Sequence, residues 1–386
     1  MKIIYHHRTM RTGVEGVHIS GVVNGLENLG HKVIEVALVK KEEHIHKKEQ
    51  KKEKKSILRI IADYFPNIFF RIAEIFYNIL CFFKVILAIL KNQNVDFIYD
   101  RYAYFNFAPT LAGKIMNIPV ILEINIVTDL KDTRELELSK LCRSIEQWIM
   151  ENCQKIFVIS DLLKNVLIKR GIEPDKVIVQ PNGCDMNIKT VDLSHIIKGP
   201  LKQKIERKIV ICFLGRLLPW YKLENLIKIF SEIQQTCSDT ALMIIGDGPE
   251  KNSLLDVVTQ YNQQENVLFT GNVTHIEAMS LVGKSDICVI PATNEWTSPV
   301  KLFEYMGMGK PVIAPNIKSV SSIMSDGVHG KLFTPGDYNA LKAHLLLVIQ
   351  DQTLRENMGK KARGHIFNNY TWDHVAQQVI SAFNKI

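Results

Sequence analysis

Short, continuous runs of Val, Ile, Leu and Phe recur along the chain, each followed by a helical pattern. This alternation restricts the fold more than any other feature. Six runs predicted as strands lie in the first half: Lys2–Tyr5, Lys32–Leu38, Asp96–Tyr99, Pro119–Glu123, Lys155–Ile159 and Lys176–Val179. Six more follow: Lys208–Leu214, Ala241–Ile245, Val267–Phe269, Asp286–Ile290, Val312–Ala314 and Lys331–Phe333. Most are apolar throughout rather than alternating, as in parallel strands covered on both faces. Helical segments such as Leu223–Gln234 and Leu341–Gln350 separate them. The expectation is an α/β fold in which a doubly wound parallel pattern occurs twice. The break is expected near Met186–Arg207, where no convincing β-run appears and Lys, Gly, Pro and Asp gather.

Charge sets the next limit. The formal net charge of +8 rests on 48 Lys plus Arg against 40 Asp plus Glu. Half of it falls in residues 40–55, KKEEHIHKKEQKKEKK, with eight lysines against four glutamates. Elsewhere no Arg-rich stripe interleaved with aromatics appears, so nucleic acid is not an expected partner. The seven cysteines form no CxxC pair and no regular spacing, as expected of reduced thiols in a cytoplasmic protein. The first residues do not resemble a signal peptide, and no uncharged apolar run approaches the length of a spanning helix.

Residues 56–90, SILRIIADYFPNIFFRIAEIFYNILCFFKVILAIL, follow the lysine run directly. Polar residues recur there every three or four positions, so one side of a helix, broken near Pro66, carries Arg59, Asp63, Asn67, Arg71, Glu74, Asn78 and Lys84. The remaining surface is Ile, Leu, Phe, Tyr and Val, wider than one core contact needs. A wide apolar face beside a cationic flank predicts an in-plane helix on an anionic membrane surface, through residues 40–90. The bland alternative is a pair of core helices behind a solvated loop.

Several catalytic signatures are absent: there is no GxxxxGK[ST], GxGxxG, HExxH or DxD. No metal and no cofactor are expected. The strongest site signal is Ser298-Pro299-Val300-Lys301-Leu302-Phe303-Glu304, which continues to Gly309. Ser298 has N-cap chemistry, and Pro299 suits a first helical position. The free amides of Val300 and Lys301 would then form an anion site. Glu304, three and four residues on, shares their face and leans back toward it. One helix thus offers amides to a diphosphate and a carboxylate to a vicinal diol, and a nucleotide sugar supplies both groups. A second cluster is Gly215-Arg216 at a strand end with Lys222 before a helix, two cations suited to a diphosphate leaving group.

These motifs occur in a fixed order with Pro181-Asn182-Gly183-Cys184-Asp185, Gly246-Asp247-Gly248-Pro249 and Phe269-Thr270-Gly271-Asn272-Val273. In this the chain resembles a GT-B-fold retaining glycosyltransferase of the family 4 type, over nearly all its length apart from 40–95. The resemblance implies two Rossmann-like domains, 1–190 (with the basic and amphipathic insertion 40–95) and 207–368, facing each other across a cleft. A final helix, 369–386, would pack back on the first domain. It also implies that Arg216 and Lys222 bind the donor diphosphate, that Glu304 holds the ribose, and that the backbone near Val273 receives the base. Gly215, Gly246 and Gly248 would line the same pocket. Where members commonly carry a Glu, eight residues before Glu304, this chain has Trp296, with Glu295 one residue earlier. The usual sugar contact is left unassigned.

In the first domain the loop Arg8–His18 contains Gly13 and Gly16, which would let backbone amides approach a ligand. His18 is a structural residue or a base, with the structural role favoured. Glu123 and Asn125, leaving a strand, are candidates around the reacting sugar, with Arg101 ranked below them. The expected activity is transfer of a sugar from a nucleotide-sugar donor to a lipid-linked saccharide or surface-polysaccharide precursor on the cytoplasmic face of a membrane. Two alternatives stay open: a nucleotide-sugar epimerase of the same fold, and a non-catalytic nucleotide-sugar-binding scaffold.

Overall fold

A computed structural model describes residues 1–9, 13–37, 67–130, 138–186 and 208–386, with 188, 190–193, 196, 205 and 206 between the last two segments. The lysine run 40–55, the residues up to Pro66 and most of the expected break at 186–207 lie outside the described residues. The described chain divides into two compact units, Met1–Gln180 with Ala376–Ile386, and Pro181–Val375.

Each of the twelve apolar runs is a strand, shifted at its ends by at most two residues. In the first unit β1 (Lys2–His7), β2 (Lys32–Ala37), β3 (Phe97–Arg101), β4 (Val120–Ile124), β5 (Lys155–Val158) and β6 (Val177–Val179) form one sheet in the order β2-β1-β3-β4-β5-β6. In the second, β7 (Ile209–Leu214), β8 (Thr240–Ile245), β9 (Val267–Phe269), β10 (Ile287–Val289), β11 (Val312–Pro315) and β12 (Gly330–Phe333) run β12-β11-β10-β7-β8-β9. Every pairing is parallel. All six residues of β8 and all five of β4 are buried, which is why their sequences do not alternate. Among the covering helices, Leu223–Gln234 is one-sided. It buries Leu226, Ile227, Phe230 and Ile233, the spacing of a single helical face.

Strand order reverses between β1 and β3 in the first sheet and between β7 and β10 in the second. In such sheets ligands collect outside the carboxyl ends of the strands flanking the reversal. The residues leaving β7 and β10 are Gly215-Arg216 and the loop to Ser298, so both motif clusters of the second unit reach that edge. The last helix, Trp372–Phe383, ends in the first unit, where Phe383 stacks on Phe97 with ring centroids 4.7 Å apart.

By length and composition the stretch Ile72–Asn92 of the helix Asn67–Asn92 is apolar enough to cross a membrane, although it carries Glu74, Lys84 and Lys91 and so is not an uncharged run. Of its polar positions, Glu74 and Asn78 face the protein, whereas Lys84 is exposed. Glu74 pairs with Arg8 at 3.3 Å, and Asn78 is buried together with Cys81, Val85 and Ile89. Cys81 Sγ lies 3.2 Å from His6 Nε2, and His6 Nδ1 lies 2.6 Å from Asp100. Burial opposes a charge on His6, but the Asp100 carboxylate outweighs it and raises the imidazole pKa to about 10. The part of the polar stripe at Glu74 and Asn78 therefore lies on the inner face. The outer face is apolar, with Phe76, Leu80, Phe83 and Leu90 each 58–64% exposed.

Asn78 explains this orientation. The helix Ala108–Met116 has Phe107 at its N-cap and no capping side chain of its own. Asn78 Oδ1 instead accepts the amides of Phe107 and Ala108 at 2.9 and 3.0 Å, while its Nδ2 donates to the Phe105 carbonyl at 2.8 Å. A side chain thirty residues away does the work of a cap. Replacing Asn78 with Ala orphans three buried backbone groups and is expected to destabilise the protein by about 2–4 kcal/mol. Urea unfolding measures this; an unchanged midpoint contradicts the capping role.

Candidate functional site

The helix Val300–Gly307 holds the centre of the second unit's site, and all eight of its residues are buried. Its start differs from the expected one. Ser298 is not the cap: the N-cap is Pro299, with no side-chain cap, and Val300 is the first helical residue. The Ser298 hydroxyl is engaged elsewhere, accepting the Asn182 amide at 3.1 Å, while Asn182 Nδ2 donates to the Ser298 carbonyl at 2.5 Å. Asn182 thus clamps the chain entering the helix. The amides of Val300 and Lys301 remain at the positive helix end, where the geometry suits an anion.

Glu304 lies one turn further, buried, with Oε1 2.7 Å from His275 Nε2. His275 opens the helix His275–Gly283, directly after Val273, and a capping box of Thr274 and Glu277 fixes that start. Burial opposes protonation of His275, but the bond and charge of Glu304, with Asp185 beyond it, outweigh burial and raise the imidazole pKa. His275 therefore orients one carboxylate oxygen of Glu304. Val273 is half-buried at the same edge.

Two glycine turns bring the loops after β7 and β8 into backbone contact. Leu217 N–H donates to the Asp247 carbonyl at 3.0 Å. At Gly246 φ is +127°, and a Cβ there would sit 2.2 Å from the Gly215 carbonyl oxygen; at Gly248 it would sit 2.4 Å from that of Leu217. Gly215 itself has φ +151°. These turns carry Arg216, exposed at the sheet edge, and the 3-10 turn Pro219–Tyr221 leads to Lys222. Lys222 is also exposed, in a left-handed conformation (φ +54°), with Nζ 3.9 Å from Glu224. Glu295 is exposed and Trp296 half-buried in the loop before Ser298.

In the first unit the expected loop is shorter than Arg8–His18, because the helix Gly13–Asn28 starts inside it. Gly13 is its first residue, with φ +61°, but Gly16 and His18 are helical. Gly16 is therefore a buried helical residue and not part of a turn. His18, Arg101, Glu123 and Asn125 form one cluster at the carboxyl ends of β3 and β4. Arg101 Nη1 binds Glu123 Oε1 and lies 2.8 Å from His18 Nδ1, and Asn125 Nδ2 donates to the same Glu123 oxygen at 2.7 Å. A guanidinium only donates, so His18 Nδ1 accepts and the ring proton sits on Nε2, 3.6 Å from Glu123. Burial lowers the His18 pKa to about 4, against the pull of Glu123. His18 is a neutral ring whose one lone pair is occupied, which suits positioning and not general-base work. Burial disfavours charge on Glu123, yet the Arg101 guanidinium beside it and the Asn125 bond hold its carboxyl below the ordinary value.

Asn182, His275 and the central position of Arg101 were not evident from the sequence. The Thr274–Glu277 capping signature marks the start of the helix that carries His275, but the His275–Glu304 pair spans 29 residues and has no local signal. Among the described residues no group of three or more His, Cys, Asp or Glu side chains is placed to hold a metal ion.

Two doubly wound parallel sheets of six strands each define the GT-B class. Residues 14–188 match the family model described as Glycosyltransferase Family 4, and residues 200–365 match Glycosyl transferases group 1. The chain belongs to this glycosyltransferase family. An uncharacterized glycosyltransferase of Methanocaldococcus jannaschii is 23% identical over 245 residues, covering 63% of this chain and 62% of that protein. The capsular polysaccharide biosynthesis glycosyltransferase CapM of Staphylococcus aureus is 23% identical over 235 residues, 59% of this chain and 61% of CapM. The matched stretch thus spans about three-fifths of these relatives' own lengths. Anabaena HepE, solved in complex with UDP-glucose, superposes with a TM-score of 0.71 at 16% identity over the whole of both chains.

The raised His275 pKa predicts how stability depends on pH. The His275–Glu304 contribution is complete below the unfolded histidine value of about 6.5 and is lost as pH rises through the higher folded value. The stability difference between wild type and His275→Gln is therefore expected to shrink from pH 6 to pH 9. A difference that grows with pH contradicts a protonated His275.

Proposed function

We propose that the protein transfers a sugar, with retention at its anomeric carbon, from a nucleoside-diphosphate sugar to a lipid-linked saccharide or surface-polysaccharide precursor. The observation carrying this is the single helix Val300–Gly307, which presents free amides and the His275-oriented Glu304 at the reversal point of the second sheet. The amides suit a diphosphate and the carboxylate suits the two ribose hydroxyls.

In this reading the bond between the sugar's anomeric carbon and the β-phosphate oxygen breaks, and its electron pair leaves with the nucleoside diphosphate. The sugar passes through an oxocarbenium-like state. The acceptor oxygen bonds to the anomeric carbon on the face the phosphate has left, and its proton passes to a departing phosphate oxygen. Arg216, Lys222 and the helix end offset the charge growing on the leaving group, so that role needs no metal ion. The base lies by Val273, with Gly215, Gly246 and Gly248 as the backbone wall of the pocket. Glu295 and Trp296 stand where the donor sugar would sit. In the first unit, Glu123 and Asn125, held by Arg101 and His18, are the acceptor-side candidates, and Gly13 starts the helix beside them.

Lys222 is exposed, so Lys222→Ala is expected to keep the fold while lowering kcat about 10²–10³-fold. Glu304→Gln is expected to raise the donor KM. Transfer from a panel of nucleotide sugars measures both, and near-wild-type turnover by Lys222→Ala refutes the assignment.

We further propose peripheral attachment to the cytoplasmic face of a membrane through the outer face of the helix Asn67–Asn92. Seven large apolar side chains (Ile72, Phe76, Ile79, Leu80, Phe83, Leu87 and Leu90) are exposed along it, while Glu74 and Asn78 are engaged by contacts within the unit. The lysine-rich run 40–55 adds attraction to anionic lipid. Deleting the helix would strip part of the core, so substitution is the cleaner test. Phe76→Asp with Phe83→Asp is expected to abolish flotation with phosphatidylglycerol-containing vesicles while nucleotide binding persists. Undiminished flotation refutes the membrane face.

A further inference from the structure

The first turn of the helix Val300–Gly307 carries an ammonium in an unusual place. Lys301 is 9% exposed and its Nζ makes no hydrogen bond. Nζ lies 4.2 Å from the ring centroid of Phe213, at the end of β7, and 3.8 Å from that of Tyr221, in the turn before Lys222. It also occupies the space beneath Gly215, where a Cβ would come within 2.6 Å of it. Two stretches about eighty residues apart, 213–221 and the start of this helix, converge on one charge, directly under the Gly215-Arg216 turn.

Aromatic faces compensate a buried ammonium only in part. Methionine or leucine would fill such a cage without the desolvation cost. Burial holds the Lys301 pKa below the ordinary lysine value, against the opposing pull of Tyr221, Glu304 and Cys212, the titratable groups that face it. The charge of Lys301 in turn holds the Tyr221 phenol below its ordinary value. The compensation missing from this cage is an anion, and the adjacent amides of Val300 and Lys301 form the place where one would bind.

We propose that Lys301 is a positioning residue for the donor. Its caged ammonium adds a fixed positive charge beneath the helix end and draws the diphosphate there without touching it. The inference rests on the donor-site reading given above. It assigns the role of Lys301 to charge and not to packing, and it makes the effect specific to the phosphates. A buried charge acts across low-dielectric surroundings and is screened less by salt than the exposed Arg216 and Lys222.

The test is calorimetric binding of UDP, ADP and GDP to the full chain, then of the monophosphate and nucleoside of the tightest binder, to wild type, Lys301→Met, Lys301→Gln and Lys301→Arg. Lys301→Gln serves where the methionine variant fails to fold. The neutral variants are expected to lose at least tenfold in diphosphate affinity, less for the monophosphate and nothing for the nucleoside. Lys301→Arg is expected to restore most of the diphosphate affinity. Diphosphate binding within twofold of wild type in a folded neutral variant overturns the proposal. So does an equal loss for diphosphate and nucleoside, which marks a packing role. Failure of wild type to bind any of the three diphosphates overturns the donor-site reading itself, a result distinct from both.

Discussion

Everything proposed for the second unit depends on holding an eight-residue helix in one orientation. A helix of two turns has no independent stability, because nucleation costs more than so few hydrogen bonds return. Val300–Gly307 persists because each of its turns is held from outside. The Tyr305 hydroxyl accepts the Leu214 amide at 2.6 Å, so the helix and the end of β7 share a hydrogen bond. Asn182 grips the residue before the cap, Lys301 is caged by Phe213 and Tyr221, and Glu304 is tied to His275. Gly307 has room for no side chain, since a Cβ there would fall 2.5 Å from Cys184 Sγ. The helix end is thus aimed by the β7 edge, and the anion site follows from that aim.

The parallel sheets explain why the chemistry gathers where it does. In a parallel sheet every strand delivers its following loop to the same edge, and only the reversal of strand order opens a gap there. The second sheet brings Gly215-Arg216 from β7 and the loop to Ser298 from β10 to that gap, although some eighty residues separate them. The first sheet does the same with the helix after β1 and the ends of β3 and β4, and so assembles His18, Arg101 and Glu123. In both cases the topology selects the residues and the side chains settle the charge states. Arg101 occupies the His18 lone pair, and His275 fixes the carboxylate of Glu304.

How far this is legible in the sequence follows from the range of each interaction. The strands are legible because burial on both faces writes an unbroken apolar run, and none of the twelve was misplaced by more than two residues. The GDG and GR turns are legible because glycine is demanded there by backbone approach, as the 2.2 Å clash at Gly246 makes explicit. Ser298 was misread because a serine before a proline and a helix has local cap chemistry, whereas its hydroxyl is claimed by Asn182, 116 residues away. The stripe containing Glu74 and Asn78 is legible as a stripe, but its direction is not. A polar periodicity shows that a helix has two faces but not which one is inside. Asn78 turned inward because the helix Ala108–Met116 lacks a cap of its own.

The same distinction governs the charges. A net charge counts exposed and buried cations alike, yet their effects differ greatly. Exposed Arg216 and Lys222 act through a screened medium and must approach a ligand to matter. Arg101 and Lys301 act where the dielectric is low, so one buried cation can fix a neighbour's protonation or attract an anion at a distance. In the proposed membrane attachment the lysine-rich run works by number instead. Each lysine near an anionic surface contributes about 1 kcal/mol, and several together complement an apolar face that is only marginally adhesive by itself. Two signals in one chain, one apolar and one basic, are what reversible attachment requires. The inward turn of Glu74 and Asn78 is what leaves the apolar one on the surface.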